Sequence, residues 1–290
     1  MKAWILSCLR SIAGEAAVIF CLIILINNYL GNQEKRINAD GIGYYDYLPA
    51  IFIHHDIDRK GEPRHENPDL YARIAATGVY VDYDSVYKVN KYPCGTALLQ
   101  LPFFLYPYIT QERTGENNDG YQEPYQKAVF HAALFYLLFS LFFLKRLLRL
   151  YRVHPYVIFF SQLLLGLGTA VTHYVNYDAA FSHIYSLFAI TAFLFFVRSF
   201  FETGSMARFT WACAFLGLII ILRQVNVLVV FFVPFLAGSY GNLKNSIGQV
   251  LQNFRKAVPG IGLMCALIAI QCLLWYLQTG RFIVYSYQGE

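Results

Sequence analysis

Six polar side chains stand at the edges of apolar runs, and together they have the chemistry of transfer involving a phosphate. Asp40 and Asp46 lie in Asp40-Gly41-Ile42-Gly43-Tyr44-Tyr45-Asp46-Tyr47-Leu48, about ten residues beyond a first apolar run that ends near Leu30. Lys91 opens Lys91-Tyr92-Pro93-Cys94-Gly95, and Asp178 and His183 share Asn176-Tyr177-Asp178-Ala179-Ala180-Phe181-Ser182-His183. Arg223 interrupts an apolar run of 28 residues at Arg223-Gln224-Val225-Asn226. A carboxylate or imidazole within reach of an acceptor hydroxyl removes its proton. Cations stabilise a departing phosphate, Arg through a fork of donors and Lys as a point charge.

Each residue also has a structural reading. Asp40 is a candidate helix cap, and Asp46 is expected on the exposed face of a helix lying at the membrane surface. Lys91 has the reach to snorkel to headgroups. His183 suits an interhelical hydrogen bond, and Glu15, near the inner end of the first run, suits structural pairing. Arg223 is the hardest to explain structurally, because a charge at membrane depth is costly and usually functional. His54-His55-Asp56-Ile57-Asp58 carries metal-capable groups, but adjacent histidines splay apart on a helix. Metal ligands are assigned to none of these residues. No cofactor is fixed by the sequence, which leaves a divalent metal open.

The elements that must position these groups are membrane helices. The chain has 290 residues, 57% hydrophobic and 14% charged, against about 25% charged in soluble domains. The six cysteines show no CxxC or His-paired spacing and read as small buried hydrophobes. The +5 net charge is distributed with the membrane and carries no nucleic-acid signal. Apolar runs at 13–30, 125–144, 155–175, 180–197 and 258–277 approach the roughly 20 residues of a bilayer crossing. The basic, apolar N-terminus reads as a retained anchor.

Placing Lys2 and Arg10 in the cytoplasm puts residues 31–124 outside and Lys145, Arg146, Arg149 and Arg152 inside, as the positive-inside rule requires. Lys244, Arg255 and Lys256 also fall inside if the run at 210–237 is a hairpin turning at Arg223. The resulting expectation is an all-α polytopic bundle of about seven spans. Its outer loop, 31–124, has two interfacial helices, one near 44–53 with Tyr44, Tyr45, Tyr47 and Phe52 at headgroup level and one near 95–109. Residues 59–88 read as polar and irregular.

The ordered motifs resemble those of the GT-C glycosyltransferases, membrane enzymes that use polyprenyl-phosphate sugars. The branch they look most like is related to protein O-mannosyltransferases and lipid A aminoarabinose transferases. The Asp40–Leu48 segment is similar to the family's first outer loop, where a catalytic Asp leads into a juxtamembrane helix. Lys91-Tyr92-Pro93-Cys94-Gly95 with Leu101-Pro102-Phe103-Phe104 resembles the Lys-Pro-Pro or Tyr-Pro-x-Gly segment opening the second such helix, with Tyr92 in place of the first Pro. Leu222-Arg223-Gln224-Val225-Asn226 looks like the basic turn that contacts donor phosphate. Asp178 with Ser182-His183 resembles a polar turn of bacterial members.

The resemblance implies one GT-C-like membrane domain over 1–290 in a bacterial inner membrane, with a cytoplasmic N-terminus. It implies inverting transfer from a polyprenyl-phosphate sugar donor to a lipid, glycan or protein acceptor at the outer face. Asp40 is then the base, Arg223 and Lys91 hold the phosphate, and His183, Asp178 and Asp46 contact substrate. Family members carry further spans and a C-terminal region, so these residues are expected to form an N-terminal portion or a minimal core. The rival expectations are a lipid-linked-sugar flippase, marked by mid-membrane charges, and a non-catalytic truncated relative.

Sidedness is directly testable. In a cysteine-free background in intact cells, a membrane-impermeant thiol reagent should label Arg64→Cys and spare Arg149→Cys. The reverse pattern would overturn the assigned orientation.

Overall fold

The computed structural model describes residues 36–57, 72, 74–84, 87–114 and 118–286. The expected first span, with Glu15, Cys8 and Cys21, lies outside the described residues. Two short helices open the chain, α1 (Ala39–Tyr45) and α2 (Tyr47–Phe52), followed by an antiparallel hairpin of β1 (Tyr80–Asp82) and β2 (Lys88–Asn90). The remaining helices are α3 (Gly95–Thr114), α4 (Glu123–Leu150), α5 (Pro155–Leu167), α6 (Val171–Asn176), α7 (Ser182–Thr203) and α8 (Met206–Leu222). A 3-10 segment, Gln224–Phe232, then leads to α9 (Val233–Ala237), α10 (Tyr240–Gln252) and α11 (Phe254–Thr279).

Among the described residues, α4, α7 and α11 are long and apolar enough to cross a membrane. A fourth candidate exists if the 3-10 segment with α9 and the helix α10, bent by 114°, count as one broken span. Three or four such helices among the described residues are fewer than the layout of about seven crossings expects. The run at 155–175 is broken at Gly168-Thr169-Ala170 into α5 and α6, and α8 stops after 17 residues at Arg223.

Arg223 has an extended backbone, φ −164° and ψ 114°, and the chain reverses there. The returning leg brings the Leu236 carbonyl to Arg198 Nη1 at 2.8 Å. A 3-10 helix rises about 2.0 Å per residue against about 1.5 Å for an α-helix. A short leg therefore reaches further than its residue count indicates.

The bundle packs in series, α4 on α7, α7 on α8 and α8 on α11. Small residues permit the close crossings. Ala132 and Ala133 of α4 and Ala189 and Ala192 of α7 are fully buried. A Cβ on Gly260 would stand 2.8 Å from the Thr210 Cα, and one on Gly217 would stand 3.0 Å from the Met264 backbone. The Phe143 ring meets Phe188, Phe195, Phe196 and Phe215, which joins three of the helices.

The two ends of the bundle differ. At one end, Arg198 stacks on Tyr151 and the Gln249 amide donates to the Gly204 carbonyl. Lys145, Arg146, Arg149, Arg152, Arg198, Arg208, Lys244, Arg255 and Lys256 gather there with the carboxylate of Glu202. The opposite end carries the described residues between 36 and 124 as a cap. Gln126 of α4 accepts from the Arg36 and Ile37 backbone at 2.8 and 2.9 Å. Gln271 of α11 accepts from the Cys94 N–H at 2.7 Å, and Gln278 donates to the Ile57 carbonyl. Burial pushes the Cys94 thiol up to about 12, so it packs as an inert small side chain.

The cap corrects three expectations. Tyr44, Tyr45 and Tyr47 are buried in protein and do not lie among headgroups. The Tyr45 hydroxyl donates to the Gly120 carbonyl at 2.6 Å and that of Tyr47 to the Tyr92 carbonyl at 2.8 Å. Burial raises both hydroxyls well above the usual phenol range, which keeps them donors. The helix α3 extends to 20 residues and packs along α4, where Tyr136 donates to the Leu99 carbonyl. Part of the stretch read as irregular is the hairpin, with Val81 opposite Val89.

Asp46 is also not on an exposed face. It is 0% exposed, and its two carboxylate oxygens accept from Tyr80 and Tyr121, each at 2.6 Å. These bonds tie the α1–α2 junction to the hairpin and to the segment entering α4. A hydrogen bond to a charged group contributes about 1.5–3 kcal/mol. Tyr80→Phe and Tyr121→Phe should each lower stability by that order in thermal unfolding of the detergent-solubilised protein. Asp46→Ala should cost more, because it strands two hydroxyls. Unchanged melting in all three would remove Asp46 as the clasp of the cap.

Candidate functional site

Asp40 sits in the first turn of α1 and is exposed. The chain enters this turn under constraint. Gln126 fixes residues 36 and 37, and the Asn38 amide lies 3.5 Å from the Tyr177 carbonyl. Ala39 has φ 42°, a conformation that costs an L-residue about 1–2 kcal/mol and persists only where surroundings impose it. The surroundings here are tight. A Cβ on Gly41 would stand 2.9 Å from the Ala180 Cβ and 3.2 Å from the Phe181 ring. The glycine beside Asp40 thus lets α1 lie directly on the turn that opens α7.

That turn holds the next groups. Asp178 and His183 flank Ala179 and Ala180, both fully buried. The Tyr185 hydroxyl donates to the Ala179 carbonyl at 2.9 Å and accepts from Gln100 of α3 at the same distance. His183 is half-buried in an aromatic setting, with the Tyr174 ring centroid at 3.9 Å and the Phe181 ring at 6.1 Å. The charged groups acting on it are Arg223, Asp178 and Asp40. Ser182 Oγ and Asn176 Oδ1 are buried without a hydrogen bond among the described residues, so the turn keeps unused polar capacity beside His183.

Arg223 arrives from the other side. It is exposed at the reversal between α8 and the 3-10 segment. A Cβ on Gly95 would stand 2.5 Å from the Ile221 carbonyl oxygen. The start of α3 is therefore seated on the last turn of α8, next to Arg223. The Asn226 amide donates to Ser186 of α7 at 3.0 Å, which holds the turn after Arg223 against the helix that begins at Ser182.

The structure thus brings Asp40, Asp178, His183 and Arg223 into one neighbourhood at the capped end. Lys91 directly follows β2. Its backbone N–H donates to the Val79 carbonyl, its carbonyl accepts from Ser286, and its ammonium lies over the Tyr92 ring at 5.5 Å. The neighbouring Tyr92 ring is 4.6 Å from Tyr44, and the neighbouring Asn90 donates to the Gly43 carbonyl. Asp46, proposed from sequence as a substrate contact, is sealed inside the cap by Tyr80 and Tyr121. A buried carboxylate with both oxygens bonded has no surface to offer a substrate.

One group was missed by sequence reasoning. His173 Nε2 lies 2.9 Å from Asp178 Oδ2, and the two side chains are 58% and 21% exposed. The signal was a spacing of five residues across the end of α6, which neither helical nor strand periodicity marks. No group of three or more His, Cys, Asp or Glu side chains arranged to hold a metal occurs among the described residues.

The arrangement offers an exposed carboxylate, an exposed guanidinium and a half-buried imidazole on three separate segments. It has the parts for proton removal beside stabilisation of an anion. No family model, no curated protein and no solved structure matches the chain.

Proposed function

We propose that this chain is a membrane glycosyltransferase that moves a sugar from a polyprenyl phosphate to an acceptor hydroxyl at the outer face of a bacterial inner membrane. The observation that carries this reading is geometric: the exposed Asp40 and the exposed Arg223 are brought to the two sides of the turn opening α7 at His183, by Gly41 packed on Ala180 and by Asn226 bonded to Ser186. In the proposed step Asp40 takes the proton of the acceptor hydroxyl, whose oxygen attacks the anomeric carbon. The bond from that carbon to the phosphate oxygen breaks, and polyprenyl phosphate leaves with the electron pair. Arg223 stabilises the leaving charge through its donor fork, and His183 and Asp178 position substrate. The lipid tail of the donor stays in the bilayer, which confines the reaction to two dimensions and supplies proximity.

The seven-crossing topology belongs to this proposal, with residues 13–30 as the first crossing and the N-terminus cytoplasmic. It is supported by the chain reversal at Arg223 and by the cationic end opposite the cap. The flippase reading is less favoured, since charges in the described membrane helices sit near helix ends.

The test is transfer from a panel of radiolabelled polyprenyl-phosphate sugars by membranes containing the protein. Asp40→Asn keeps the shape and removes the base, so turnover should fall about 10²–10⁴-fold with donor binding retained. Arg223→Ala should lower both donor affinity and turnover. Gly41→Val should impair transfer with both charged groups present, because its side chain would drive α1 off Ala180 and Phe181. An active preparation indifferent to Asp40→Asn would overturn the mechanism.

A further inference from the structure

A cavity of about 320 Å³ lies between α7, α8, the 3-10 segment with α9, and α10. It is far from Asp40 and His183 along α7, in the half of the bundle nearer the cationic end. Phe193 and Phe200 of α7, Ala212 and Leu216 of α8, and Val250 of α10 line it. Ser246 and Cys213 are the polar or sulfur-bearing side chains in its wall. Such a wall gives water too few partners to be held there. An empty space of this size would forfeit packing on every side.

The shape of its opening narrows the occupant. The helix α10 crosses the bundle after the 114° bend and presents Leu243, Ile247, Val250 and Leu251 to the cavity. Its opposite face carries Asn245 and Gln252, both exposed, and Lys244 stands at the edge beside Ile247. That is the pattern of a helix lying in the membrane interface. Ile247 and Leu251 are 53% and 68% exposed, so the opening is apolar and borders the helix surfaces that face lipid.

Charge supplies the second argument. Residues 203–289 contain no Asp or Glu. Lys244 is exposed in the first half of α10, and Arg255 and Lys256 are exposed at the start of α11. The Glu202 carboxylate, the acidic group of this end among the described residues, already accepts from Arg198. An apolar slot beneath uncompensated cations at the membrane surface complements a molecule with a hydrocarbon tail and a negative head.

We propose that this cavity holds one acyl chain of an anionic phospholipid from the leaflet at the cationic end, with its headgroup on Lys244, Arg255 and Lys256. The site is separate from the candidate transfer site and does not depend on transfer chemistry. Its occupant would wedge α10 against α7 and α8 and fix the returning leg behind Arg223.

The test uses the full chain in nanodiscs of phosphatidylglycerol and phosphatidylcholine. The probe is phosphatidylglycerol with a diazirine in one acyl chain, and the readout is mass spectrometry of photolabelled peptides. Label should concentrate on peptides covering 193–216 and 243–251, above that on the lipid-exposed α5 residues Phe160 and Leu164. Unlabelled phosphatidylglycerol should compete and phosphatidylcholine should not. Ala212→Phe fills the cavity and should abolish the enrichment. Leu251→Trp fills it from the exposed side, should act likewise and spares the bundle core. Replacing Lys244, Arg255 and Lys256 together with Gln should cut the preference for phosphatidylglycerol at least about tenfold. Uniform labelling of α5 and the cavity, or equal labelling by a phosphatidylcholine probe, would overturn the proposal. So would covalent dimers through Leu251→Cys in place of lipid adducts, which would assign the cavity to a second copy of the chain.

Discussion

The Asp46 carboxylate is the interaction on which the capped end depends. Burying an ionised group is prohibitive unless it is fully hydrogen-bonded, so the cap is confined to arrangements that bring Tyr80 and Tyr121 to its two oxygens. These tyrosines come from the hairpin and from the segment before α4, 34 and 75 residues away in sequence. The cap buries apolar residues of its own, among them Ile42, Leu48, Ile74 and Val79, and acquires a defined register from such a requirement. Asn90 adds to it by donating to the Gly43 carbonyl at 2.8 Å, and Tyr47 by donating to Tyr92. The cap is thereby a scaffold of buried polar bonds set on a bundle held by small-residue and aromatic packing.

Glycine transmits that scaffold to the site. Gly41 lets α1 touch the Ala180–Phe181 turn, and Gly95 lets α3 touch the Ile221–Leu222 backbone. Both contacts sit one residue or one turn from a charged group, Asp40 in the first case and Arg223 in the second. The site is therefore assembled by backbone approach, with Asp178 held by His173 and Asp40 and Arg223 left exposed. Relaxing either approach would move one charge relative to His183 while leaving the bundle core as it is.

Much of this was legible in the sequence, and the remainder failed for identifiable reasons. Hydropathy marks α4, α7 and α11 because each is a long uninterrupted run, and the charge at Arg223 marks the reversal. Hydropathy does not mark α5 and α6 as separate helices, since the break at 168–170 is made by Gly, Thr and Ala in an apolar setting. Tyr44, Tyr45 and Tyr47 have a composition that suits an interface as well as a polar core. For Tyr45 and Tyr47, burial goes with hydroxyl acceptors at Gly120 and Tyr92, far along the chain. The same holds for Asp46, whose partners are remote, and for the His173–Asp178 pair, which forms across the end of a helix. Local pattern identified Asp40, His183 and Arg223 as unusual, whereas their proximity is a tertiary fact.

The contrast between Asp40 and Asp46 shows how one motif divides its labour. Six residues along a helix of 3.6 residues per turn place two side chains about 120° apart. With Gly41 pressed on Ala180, α1 has one orientation, and that orientation sends Asp46 into the cap and leaves Asp40 outside. A carboxylate with both oxygens committed to phenols is held by them and is shielded from any acceptor. A carboxylate left exposed beside the turn that carries His183 is open to a substrate. Burial makes Asp46 structural and exposure makes Asp40 available, so the chemistry proposed for Asp40 requires that Asp46 be spent on holding the helix in place.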